Sequence, residues 1–458
     1  MKRALIACLI GVILTMCSCT PITLGIDGLV TAPKLSDEQI NIHEALTDAV
    51  GSNITLKFPQ SGSYRSAYII QNIDDEPGDE AIVFYEYSNG DKSKKDGLML
   101  NILDKDENDD WHSVKEISGA GSEVSQVIIA EMGNNHQREV VVGYTGVTGD
   151  EKAMEVYNYK SGSFKTISKD TYSLLEAYDI DSDGNDELIT ISKKANKSSD
   201  LSGSKMNTVR YAAYLTQFSN GKLVKTEMDE MCSNVTSYVN STVGSVGKKA
   251  PALFIDSLTN ENQLQTEILY YKDGRLAAPL SDFFLESNGI QEYAASQFTR
   301  PVEYYSQDID KDGVIEIPSA KVMPGYENVI EEQKLYLTSW YTYNLNDQIK
   351  LKCFGYYSIN DRYIMAFPTR WDGKITVQLD SKSDDVIFCK LSDFNKGKTT
   401  ELMRISIINE NNKNNYLYNG YKQLAQNGKI DYVVKIADIK NEPLVPTIDE
   451  VKNLFYVI

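Results

Sequence analysis

Four stretches of this chain lie on one nine-residue frame without a gap: NIDDEPGDE at 72–80, EMGNNHQRE at 131–139, DIDSDGNDE at 179–187 and DIDKDGVIE at 308–316. Each closes on a glutamate, namely Glu80, Glu139, Glu187 and Glu316. A chain that returns to one acidic turn in one register is built from a repeated unit, and that restricts its fold more than any compositional figure does. A weaker relative, ALFIDSLTNENQLQTEIL from 252, fits the frame only with an insertion.

Between these turns run short segments rich in Val, Ile, Tyr and Thr, interrupted by Gly, Asn and Asp. MEVYNYKSGSFKTI from 154, TEILYYKDGRLAAP from 266 and YTYNLNDQIKLKCF from 341 each place a polar turn between two strand-like runs, which is a hairpin pattern. Strand, acidic turn, strand and second hairpin at a spacing of roughly 50 residues describe a four-stranded propeller blade. Such a unit cannot bury both faces alone, so the blades must stack, and a ring is expected. The predicted fold is therefore mainly β: a β-propeller of about six blades over residues 56–355, followed by a small α+β module over 356–458. The competing arrangement is one or two β-sandwiches with coincidental acidic turns.

Outside that region two helices are expected. LSDEQINIHEALTDAVG carries a capping box from Ser36 and Gln39, an apolar face of Ile42, Ala45, Leu46, Ala49 and Val50, and a terminating Gly51. Near the other end, Thr447 can cap a short helix with Val451, Leu454 and Phe455 facing inward. The Asn-rich INENNKNNYLYNG reads as a surface loop.

The two intact turns have the chemistry of a hard-cation site. Asp179, Asp181 and Asp183 fall on alternate residues, Gly184 permits the bend, Asn185 can offer its backbone carbonyl, and Glu187 completes the set. The second copy supplies Asp308, Asp310, Asp312, the carbonyl of Val314, and Glu316. Ca²⁺ takes about six to eight oxygens, and without a cation carboxylates this crowded repel one another. An EF-hand is excluded, because the twelfth loop positions are Thr190 and Ser319 where a bidentate glutamate is required.

This pattern resembles the DxDxDGxx[DE] loops of FG-GAP and VCBS-type propeller repeats, the class that includes the integrin α-chain head. The resemblance spans the middle two thirds of the chain. It is partial at 72–80 and 131–139, where Asn72, Asp74, Glu76 and then Glu131, Gly133, Asn135 replace the aspartate ladder. No Phe-Gly and Gly-Ala-Pro pair flanks the loops, which favours the VCBS-like, bacterial kind. The resemblance implies two structural Ca²⁺ sites that lock blade hairpins and take no part in catalysis.

The N-terminus begins Met1-Lys2-Arg3 and continues through an apolar stretch from Ala4 to Met16 into TMCSCTP. It is shorter than the roughly 20 residues a membrane span needs and reads as a signal peptide. The junction resembles a bacterial lipobox, with Cys19 after the small Ser18 as the lipidated residue, or Cys17 after Met16. Residues 1–19 are then signal peptide and lipobox, and 20–55 tether and short helix. The expected location is the outer face of the bacterial membrane, with the chain exported and lipid-anchored.

A net charge of −19 argues against nucleic acid and anionic lipid headgroups as partners. Beyond the N-terminal pair, Cys232, Cys353 and Cys389 form no disulfide framework and read as small buried hydrophobes, although one pair can still form. His43, His112 and His136 have no metal-ligand spacing, and no GxSxG, HExxH or phosphate-cradling loop is present. SGSK at 202–205 fits SxxK only formally. Trp111, Trp340 and Trp371 with the 29 tyrosines can in principle stack on sugars, but most are expected to be strand residues with one buried face. No catalytic residue is assigned. The expected function is a monomeric, non-catalytic surface module that binds an unknown protein or glycan, or serves as a scaffold. The alternatives are a polysaccharide lyase or hydrolase with carboxylates across the propeller mouth, and an envelope assembly factor.

Overall fold

The computed structural model describes residues 35–458, apart from 75, 89–96, 134–136, 147–150, 161, 195–209, 220, 248–249, 282, 286–290 and 345–347. The segment expected to be a signal peptide, Cys17 and Cys19, His136 and the SGSK segment lie outside the described residues. Among the described residues no helix is long and apolar enough to cross a membrane.

Among the described residues, six antiparallel sheets of four or five strands follow one another along the chain. Sheet I holds β1 (Ile54–Lys57), β2 (Tyr68–Gln71), β3 (Glu80–Tyr87), β4 (Leu98–Lys105) and β5 (Trp111–Ser118), with β1 and β2 both paired to β3. Sheet II is β6 (Glu123–Ala130), β7 (Glu139–Thr145), β8 (Lys152–Lys160) and β9 (Ser163–Tyr172). Sheet III is β10 (Leu174–Tyr178), β11 (Glu187–Lys193), β12 (Tyr211–Ser219) and β13 (Lys222–Glu230). Sheet IV is β14 (Val235–Val246), β15 (Ala250–Thr259), β16 (Leu264–Lys272) and β17 (Arg275–Ala277). A two-stranded hairpin, β18 (Phe283–Leu285) with β19 (Gln291–Tyr293), separates it from sheet V. Sheet V is β20 (Ile317–Val322), β21 (Tyr336–Tyr343), β22 (Ile349–Ser358) and β23 (Tyr363–Ala366), completed by β29 (Phe455–Val457) from the C-terminus. It therefore takes strands from both sides of residue 355. Sheet VI runs β24 (Ile375–Leu379), β25 (Val386–Lys390), β26 (Glu401–Asn409), β28 (Ile430–Ile436), β27 (Lys422–Asn427).

Central strands read as unbroken apolar runs because each sheet is buried on both faces. In β7, Val140 and Val142 pack toward sheet I while Val141 packs toward sheet III. In β15, Leu253 and Ile255 face sheet III, and Ala252 and Phe254 face sheet V. Sheets V and VI meet through Leu337, Tyr356 and Tyr363 against Phe388, Met403 and Tyr432. Outer strands such as β9 alternate instead, since one face meets water.

The two ends of this row are covered by helices. The free face of sheet I is closed by α1 (Asp37–Val50), whose Ile42, Leu46 and Val50 pack on Ala81, Val83, Tyr85, Met99 and Leu103. Its capping box and its stop at Gly51 are as the sequence predicts. Beside sheet VI, after the short α2 (Leu391–Phe394), the segment α3 (Lys413–Tyr418) brings Tyr416 against Ile408, Tyr421 and Val433. The Asn-rich stretch expected as a loop thus contains a short helix. Thr447 caps α4 (Ile448–Asn453) as expected and Val451 is buried, but Phe455 already begins β29. Stacking of sheets is present throughout, whereas no core cluster among the described residues joins sheet VI to sheet I.

Candidate metal centres

The repeated frame of the sequence is one structural register. The residue before each turn pairs with the closing glutamate: Gln71 with Glu80, Ala130 with Glu139, Tyr178 with Glu187, and Gln307 with Glu316. Each glutamate turns back into its own loop and accepts a backbone N–H, from Ile73 at 2.8 Å, Met132 at 3.3 Å, Ile180 at 3.2 Å and Ile309 at 3.0 Å. This latch explains why glutamate is kept at all four turns while the aspartates are not. Neighbouring loops are also tied together, with Arg138 N donating to Ile73 O at 3.2 Å and Asp186 N to Glu131 O at 2.7 Å.

Sheet IV has no such turn: Val246 pairs with Ala250 across a short connection. The weak relative from 252 lies instead on β15 and β16, the second and third strands, so it is not an equivalent loop. Its Asp256 is a buried counter-ion to Arg300 and not a turn residue.

The two intact loops share a common set of hydrogen bonds to their backbone N–H groups. Asp179 accepts N–H from Asp183 and Gly184 at 3.0 and 3.1 Å, and Asp308 does the same with Asp312 and Gly313 at 3.0 and 2.8 Å. Gly184 and Gly313 take φ of 94° and 84°, which an L side chain resists. These bonds bring oxygens of Asp179, Asp181 and Glu187 within 4.8 Å of one another, and likewise Asp308, Asp310 and Glu316. Asp183 and Asp312 lie outside those triads and accept the N–H of Asn185 and Val314, both at 2.9 Å.

An all-oxygen set of three carboxylates on a tight loop fits a hard divalent cation such as Ca²⁺. Burial, reinforced by Asp181, pushes the Glu187 carboxyl up to about 8. Burial followed by Asp183 also raises Asp181. Burial raises Glu316 to about 7, against a lowering contribution from Lys352, and raises Glu80 to about 7 with Asp74 and Asp104 adding to it. The first loop thus gathers negative charge that only protonation or a cation relieves.

Away from the loops, the first strands of sheets II, III and IV converge on a cleft of about 620 Å³. Tyr64, Lys152, Tyr172, Glu176, Tyr238 and Asn240 are among the residues that line it. Burial raises Glu176, which accepts a hydrogen bond from the Ser241 hydroxyl, and burial lowers Lys152, whose ammonium donates to Ser125 Oγ at 3.1 Å. No motif marks these residues, because strands from three separate repeats supply them. Trp340 and Trp371 are enclosed at 0% and 1% exposure, which removes both as sugar-stacking platforms. Cys232, Cys353 and Cys389 are free thiols, the first and last buried.

No family model and no curated protein matches the chain. Among solved structures it is similar to the rhamnogalacturonan lyase YesW, at 11% identity over 76% of each chain with a TM-score of 0.28. It is also similar to a putative 6-phosphogluconolactonase from Bacteroides uniformis, at 11% identity over 76% of this chain and 94% of that one, TM-score 0.30. A PL25 ulvan lyase matches at 11% identity over 65% and 72% of the two chains, TM-score 0.29. At such identities and scores the likenesses carry no assignment of activity or substrate.

Proposed function

We propose that this chain is an exported, lipid-anchored surface protein whose stacked sheets, stapled by calcium, form a non-catalytic module for binding a protein or glycan. The observation that carries this reading is the convergence of Asp179, Asp181 and Glu187 at the entry to β11, where the same glutamate latches the strand pair. Carboxylates so placed serve the fold, and recognition is left to the loops and to the cleft between first strands. Calcium modules outside cells bind at roughly 10⁻⁴ to 10⁻³ M, so such a staple would be filled there. The test is thermal unfolding of the full-length protein with and without millimolar calcium. A saturable rise, worth about 1.4 kcal/mol at tenfold excess over the dissociation constant, is expected, and it should vanish in Asp181→Ala. A melting temperature indifferent to calcium would sink the reading.

A polysaccharide-acting enzyme is the second reading, supported by Glu176. A half-buried carboxyl raised in pKa at a polar cleft is suited to general acid chemistry. Cleavage of an oligosaccharide by wild type and not by Glu176→Gln would establish that reading over the first.

A further inference from the structure

The two intact loops differ in one partner. Lys352 Nζ lies 2.7 Å from Asp310 Oδ1, 2.7 Å from Glu316 Oε1 and 3.8 Å from Asp312 Oδ2. Two of these three residues belong to the oxygen triad of the second loop. Among the described residues, no lysine or arginine forms an ion pair with Asp179, Asp181, Asp183 or Glu187.

The backbone is arranged to deliver this lysine. In the pairing of β21 with β22, Trp340 is opposite Cys353 and Tyr341 is opposite Leu351, so Lys352 is the extra residue of a β-bulge. Bulges bend a strand and redirect a side chain, and they recur where a side chain must be aimed at a site. The Lys352 side chain placed in this way is only 22% exposed, and that of Glu316 is fully buried.

We infer that Lys352 supplies to the second loop the positive charge that a metal ion supplies to the first, so that the chain takes up one calcium ion and not two. The inference rests on the calcium reading of the first loop. A calcium ion lies about 2.3–2.6 Å from its carboxylate oxygens. It would have to compete for Asp310 Oδ1 and Glu316 Oε1 with an ammonium already hydrogen-bonded to both. Its entry would require Lys352 to be displaced while repelling it. The loop at 308–316 is accordingly a staple independent of metal, closed by a strand of its own sheet, and the loop at 179–187 is the calcium-dependent one.

Equilibrium dialysis of the full-length protein against calcium tests this. Wild type should bind one equivalent, Asp181→Asn none, and Asp310→Asn still one. Lys352→Gln should gain a second equivalent. In EDTA its melting temperature should fall below that of wild type and recover on adding calcium. If Lys352→Gln does not fold, the Asp310→Asn count decides, because loss of an equivalent there overturns the inference. Two equivalents in wild type would also overturn it while leaving the calcium reading intact. No binding by wild type or Lys352→Gln would overturn both.

Discussion

The guanidinium of Arg300 meets the carboxylate of Asp256 at 2.5 Å, and neither side chain has any exposure. Each guanidinium nitrogen and each carboxylate oxygen of the pair has a partner. Arg300 Nε donates to Tyr304 O and Nη1 to Phe298 O, both at 2.8 Å, and Asp256 accepts from Thr266 Oγ1 and from the backbone of Ser306, both at 2.9 Å. The pair fastens the segment leading into the second acidic loop onto β15 of sheet IV. Burying two charges is tolerable only with this degree of satisfaction.

Removing either partner leaves the other charged in the core. Arg300→Met and Asp256→Asn are each expected to cost about 3–5 kcal/mol in urea unfolding. The double variant should cost clearly less than the sum, since both act on one interaction. Additive losses would show that the two residues are not coupled.

Glu80 makes stability depend on pH. Burial raises its carboxyl from an ordinary 4.5 to about 7, so the folded state holds the proton more tightly than the unfolded chain. Its stabilising contribution is therefore complete below pH 4.5 and is lost as pH rises through about 7. Glu80→Gln keeps an acceptor for the Ile73 N–H and has no proton to lose. In calcium-free unfolding it should exceed wild type by on the order of 2 kcal/mol at pH 8, and the gap should close near pH 4.5. A difference that does not change with pH would contradict this.

Leu46 on α1 closes the free face of the first sheet, among Ala81, Val83 and Met99. Leu46→Ala should destabilise the protein by about 2–5 kcal/mol. Ser36→Ala, which removes the cap from the same helix, should cost about 1 kcal/mol. Thermal unfolding of both variants checks the order of these effects as well as their size.

The proposed lipid anchor is tested by cell fractionation. Cys19→Ala is expected to release the protein from the membrane fraction, with Cys17→Ala leaving it bound. If the double substitution stays as membrane-bound as wild type, the lipobox reading fails.

What could be read from the sequence is what forms within about ten residues. The capping box at Ser36 and Gln39, the hairpins and the four-fold glutamate frame depend on neighbours along the chain, and all reappear, the frame as one β-register. The mainly β class follows from the same local periodicities. Asp256 shows the limit of that reading. Its acidic surroundings look like a drifted turn, but its role is decided by Arg300, 44 residues away. Lys352 and Glu316 are 36 residues apart, and Ser241 and Glu176 are 65 apart. Which strand stacks on which, where β22 bulges, and that the C-terminal β29 completes sheet V are consequences of packing two-faced sheets against one another. Short-range patterns therefore determine the elements and the acidic loops. That Lys352 reaches the loop at 308–316 is settled only when distant strands are brought together.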